Sequence, residues 1–142
     1  MGLGVREAAE LLGIPRRTAF RWIAFLPRFA ERHKYLPFPD LTLKDLTLLA
    51  LIAEIRQMGN PLRTAVKAIE RVHAEWNGLG PPSGNLLIAD GEVEYGKWTL
   101  IAEGTSHQLV FWPGLVRLGK LMDRMTLLLD EWEASDDSEP KA

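Results

Sequence analysis

Arg16, Arg17 and Arg21 stand in one short stretch of a 142-residue chain, with Thr18 and Phe20 among them. Guanidinium groups at that density attract anions, and the arginine fork matches a phosphate or the paired acceptors on a guanine edge. Thr18 adds a hydroxyl that donates or accepts, and Phe20 adds an apolar ring. The chemistry on offer is recognition. A second basic group follows in "FLPRFAERHKYLPFPD", with Arg28, Arg32, His33 and Lys34 set among prolines and aromatics. It reads equally well as a wing laid on a phosphate backbone and as a plain connecting loop.

Bond-making chemistry finds less material. The chain has no cysteine, hence no disulfide framework, thiolate metal site or thiol nucleophile. His33, His73 and His107 lack the i, i+4 spacing of helical metal ligands. "GLGPPSG" has no lysine after its glycines and no helix start to cradle a phosphate. Glu92, Glu94 and Glu103 are acids near turns, a place where carboxylates are ordinarily solvated. The expectation is a non-enzyme without cofactor or metal.

Charge is uneven along the chain. The formal net charge is -2, but residues 1–76 carry 12 Lys and Arg against 8 Asp and Glu, and residues 77–142 carry 5 against 11. The basic part suits a polyanion and the acidic part a different partner, although two solvated faces would give the same numbers. With 46% hydrophobic residues the chain can build a core as one compact domain or two very small ones. No run of about 18 apolar residues is present and "MGLGVREAAE" lacks the order of a signal peptide, so the expected location is the cytoplasm, away from membranes.

The elements that must hold the arginines follow from spacing. Val5, Ala8, Ala9 and Leu12 predict a helix over residues 5–12, with Glu7 in its first turn. Gly13 suits a left-handed C-terminal position, Ile14 turns back to the core, and Pro15 opens a second helix over residues 15–25. Ala19, Trp22 and Ile23 form its inward stripe and leave Arg16, Arg17, Thr18, Phe20 and Arg21 outside. Two short helices about a glycine turn, the second beginning with basic and polar residues, read as a helix-turn-helix whose second helix enters the major groove. The prolines at 27, 37 and 39 predict an extended loop or short hairpin for residues 25–40. Thr42 and Asp45 predict a capping box for a third helix ending at Gly59, with Leu41 stapled to Leu46 and apolar residues on several faces. Asn60 and Pro61 start a fourth helix that is expected to end near Trp76.

On these residues, "VREAAELLGIPRRTAFRWI", the basic loop and "LTLKDLTLLALIAEIRQMGNPLRTAVKAIERV", residues 3–76 resemble the DNA-binding domain of MerR-type regulators. That domain is a winged helix-turn-helix backed by a helix pair. The resemblance implies double-stranded DNA as partner, with Arg16, Arg17, Thr18 and Arg21 on the reading helix. The wing segment holds Tyr35 and basic residues without the glycine usual in that family.

Beyond residue 84 the pattern changes. "LLIADGEVEYG" places Asp90-Gly91 between two short runs, a hairpin signal, and "KWTLIAEGTSHQLVFW" predicts two more strands at residues 98–102 and 108–112. From residue 115 the pattern is helical: Leu115, Leu118, Met122, Met125, Leu129 and Trp132 recur in alternating steps of three and four, widened by Leu121 and Leu128. Such a stripe packs on the chain's own core or on a second copy. MerR-type regulators dimerise through C-terminal helices, and by that resemblance these six residues are the expected homodimer seam. "GNLLIADGEVEYG" and "HQLVF" also make the whole chain similar to VapB-type antitoxins with a MerR-like reader, which implies a toxin as alternative protein partner.

The expected fold is α+β: a helix-turn-helix with helix pair over residues 1–76, a linker at 77–84, a small antiparallel sheet with a C-terminal helix at 85–134, and a disordered acidic tail at 135–142. The expected function is a dimeric, sequence-specific transcriptional regulator. The alternative is an antitoxin that neutralises its partner through the acidic half and regulates its own promoter.

Overall fold

The computed structural model describes residues 3–30, 40–79, 84–89, 91–96 and 115–138. The fold is mixed α+β, with helices at both ends of the chain and a small antiparallel sheet in its second half. The order is α1 (Val5–Leu12), α2 (Arg16–Ile23), α3 (Pro27–Ala30), α4 (Leu43–Gln57), α5 (Leu62–Leu79), β1 (Asn85–Ala89), β2 (Glu92–Gly96), β3 (Leu115–Arg117) and α6 (Leu118–Ser138). Two compact units divide it, one of Met1–Ala50 with Met122–Ala142 and one of Leu51–Leu121.

In the first unit α1 begins at Gly4, whose N–H donates to Glu7 Oε1 at 2.9 Å, so Glu7 satisfies an orphan amide as well as favouring the dipole. Its end is a Schellman turn. Gly13 sits at φ 69°, its N–H donates to the Glu10 carbonyl at 3.2 Å, and the Ile14 N–H reaches back to the Ala9 carbonyl at 3.0 Å. Pro15 is the extended residue before α2, and its carbonyl accepts from the Ala19 N–H at 3.0 Å. The second helix is thus shorter than the expected 15–25, with Ala24 as its C-cap. Val5, Ala8 and Ala9 of α1 and Ala19, Trp22 and Ile23 of α2 are buried, so small residues let the two helices approach closely.

The expected loop after residue 25 gives way at once to the short helix α3. Pro27 lacks an N–H but the first turn of a helix needs none, and Leu26 and Phe29 become fully buried. A bridge that spacing did not signal joins Leu41 to Leu3: the Leu41 N–H donates to the Leu3 carbonyl at 2.7 Å. The capping box of α4 has both halves, Asp45 N–H to Thr42 Oγ1 at 3.2 Å and Thr42 N–H to Asp45 Oδ2 at 2.9 Å. Leu41 and Leu46 are both buried. From Asp45 to Ile52 every residue of α4 is buried, on all sides of the helix, and the Thr47 hydroxyl donates to the Leu43 carbonyl at 2.8 Å.

The second unit begins within α4 at Leu51; a second Schellman turn at Gly59, φ 92°, ends that helix, and α5 follows with Ala65, Ala68, Ile69 and Val72 buried. This helix extends to Leu79, past the expected end near Trp76, because nothing before the Pro81–Pro82 pair bars another turn. The expected linker therefore begins inside a helix. β1 pairs with β2 in the register Ala89↔Glu92, and Gly91 before β2 sits at φ 79°. On its other side β1 pairs with β3, Leu86 opposite Val116, giving the order β2-β1-β3, and α5 packs beside β2. The strands expected at 98–102 and 108–112 lie outside the described residues.

β3 corrects the expected C-terminal helix. Leu115 is a strand residue, because the β-branched Val116 and its neighbours complete a ladder on β1. Helix begins only at Leu118, whose N–H donates to the Gly84 carbonyl at 3.3 Å. Its far end continues to Ser138, through part of the segment expected to be a disordered tail.

Candidate nucleic-acid interface

α2 presents one face to solvent and one to the core. Ala19 is fully buried and Trp22 is 9% exposed, so the tryptophan is a packing residue. Arg16, Arg17 and Arg21 are exposed, Thr18 is half-buried, and Phe20 keeps 46% of its surface in water. Phe20 lies at the middle of the outer face, with Arg16 and Arg17 four and three residues before it and the exposed Ala24 four after. Arg16 reaches Glu10 of α1 at 3.8 Å, both side chains well exposed, a pair worth little in water and easily exchanged for another anion. Burying Ala19, Trp22 and Ile23 fixes the rotation of α2 and so leaves Arg17, Phe20 and Arg21 outward.

The rest of the expected interface is described only in part. Arg28 belongs to α3, and its side chain is not among those described. Arg32, His33 and Lys34 lie outside the described residues, as do Tyr35 and the rest of the candidate wing between residues 31 and 39. Near the start of α4, burial lowers the pKa of the Lys44 ammonium, and the neighbouring Asp45 opposes the shift.

The expected dimer seam is divided by the fold. Leu115 pairs in the sheet and is half-buried, and Leu118 and Met125 are buried within the single chain. Met122, Leu129 and Trp132 are half-buried, and Leu128 beside them is too. Leu127, on the opposite side of α6, is 60% exposed.

A polar cluster that spacing did not reveal surrounds Tyr95. Its hydroxyl accepts from the Gly84 N–H at 3.1 Å, and Arg71 lies over its ring at 5.9 Å from the centroid. Arg71 also reaches Glu75 at 3.3 Å. Arg63, Lys67 and Arg71 are exposed at four-residue steps along α5, and Lys67 Nζ reaches the Gly91 carbonyl at 3.5 Å. Arg71 and Lys67 thus hold the hairpin; the row of basic residues was visible in the sequence, but its partners on β2 were not.

Among the described residues, no three His, Asp or Glu side chains gather into a possible metal-binding group, and no helix is long and apolar enough to cross a membrane. No protein-family model matches the chain, and neither a curated protein nor a solved structure matches it significantly.

Proposed function

We propose that the chain is a sequence-specific, duplex-DNA-binding transcriptional regulator that acts as a dimer, with α2 as its reading helix. The observation that carries the reading is the outer face of α2, where Arg16, Arg17, Phe20 and Arg21 project beside a glycine turn while Trp22 locks the opposite face into the core. A helix of this length fits the major groove, and its N-terminal residues meet base edges and phosphates. One such helix contacts few bases, so two copies read half-sites about 34 Å apart. Half-buried Met122, Leu129 and Trp132 on α6 remain available to join the copies.

The test is selection of duplexes from a random pool, followed by titration of the selected and a random duplex at several salt concentrations. Arg17→Ala should weaken binding. A loss shared by both duplexes with a shallower salt slope marks a phosphate contact, whereas a loss of about 1–3 kcal/mol on the selected duplex alone marks a base contact. Failure to enrich any duplex, or unchanged binding by a folded Arg16→Ala/Arg17→Ala variant, overturns the proposal.

A further inference from the structure

We infer that Phe20 is a thymine reader: in the major groove its ring packs on the C5 methyl group of a thymine, and this contact sets one position of the recognised sequence. The inference rests on the duplex-DNA reading above and adds a specificity determinant that the arginines do not supply.

Phe20 has no place in the inward stripe of α2, which Ala19, Trp22 and Ile23 occupy. It keeps 46% exposure at the centre of a face otherwise basic or small. The part of the ring left in water still gains by burial against an apolar surface. On a polyanion such surfaces are few. The phosphates and sugars offer charge and hydroxyls to Arg16, Arg17 and Arg21, and the base edges in the major groove offer donors and acceptors, with a single apolar group, the methyl of thymine. A phenyl ring pressed on guanine, adenine or cytosine would strip water from N7, O6, N6 or N4 without replacing its hydrogen bonds. Thymine alone gains from the contact. Ala24, one turn further along the same face, leaves room for the ring to lie flat on the methyl instead of against a second large side chain.

Deoxyuridine differs from thymidine by that methyl alone, so the experiment leaves the protein untouched. Each thymine of the selected duplex is replaced singly by deoxyuridine and the affinity measured for wild type, Phe20→Ala and Phe20→Leu, each checked by thermal melting. One thymine per half-site should show a loss of about fourfold, the equivalent of one buried methyl. That sensitivity should vanish in Phe20→Ala and persist in Phe20→Leu, which keeps an apolar end. Wild type indifferent to every uracil, or Phe20→Ala equally sensitive at the same position, overturns the inference while leaving duplex binding intact. Absence of duplex binding altogether overturns the reading beneath it.

Discussion

The backbone N–H of Gly84 donates to the Tyr95 hydroxyl at 3.1 Å, while the Gly84 carbonyl accepts from Leu118 at the head of α6. One glycine thus links the edge strand β2 to the start of the last helix. A Cβ on Gly84 would stand 2.6 Å from the Gly96 carbonyl oxygen and 2.8 Å from the Tyr95 ring. Gly84→Ala should therefore cost about 1–3 kcal/mol by overpacking, and Tyr95→Phe about 0.5–1.5 kcal/mol for its lost hydrogen bond. Urea denaturation reads both; an alanine variant as stable as the parent would mean that β2 shifts freely.

Gly13 is needed for a different reason. Nothing lies within 4 Å of its would-be Cβ, so only the φ of 69° resists a side chain. Gly13→Ala should cost about 1 kcal/mol, and Gly13→Asn less, because asparagine tolerates the left-handed region. Equal losses for the two variants in the same denaturation series would contradict a purely backbone origin.

Trp22 and Arg17 should separate stability from binding. Trp22→Ala removes a buried indole and should cost roughly 3–5 kcal/mol, whereas Arg17→Ala on the surface should stay within about 0.5 kcal/mol of the parent. A Trp22→Ala protein that melts like wild type yet loses DNA would transfer the tryptophan to the reading face.

The proposed dimer is best tested by substitution, since cutting the chain before Leu115 would remove β3 and the buried Leu118 and Leu121 with it. Leu129→Glu with Trp132→Glu should halve the mass observed by sedimentation and weaken operator binding, because the linked copies no longer share one effective concentration. An unchanged dimer would exclude the distal half of α6 as the interface.

What could be read from sequence was whatever a few neighbouring residues decide. The span of α1, the Gly13 turn, the Thr42–Asp45 box and the Asp90-Gly91 hairpin each rest on groups within a few positions of one another. Leu115 misled because its spacing to Leu118 and Met122 continues the helical stripe, while its ladder to Leu87 depends on a strand far back in the chain. Tyr95 was silent for the same reason: Gly84, Arg71 and the hydroxyl meet only after α5 and the hairpin are side by side. On α2, the inward stripe of Ala19, Trp22 and Ile23 is a local pattern, and it defines the outer face that forms the candidate site.

The bridge from Leu41 to Leu3 closes a ring of chain that contains α1, α2 and α3. Closing a loop of that size costs on the order of 3 kcal/mol of chain entropy, so the bond should form after the local α1–α2 contacts that shorten the path. Its amide proton is then a sentinel. Exchange of the Leu41 N–H with deuterated solvent should register any opening of the basic segment, and slower exchange on adding duplex would report, from one backbone position, that the ring had been tightened from outside.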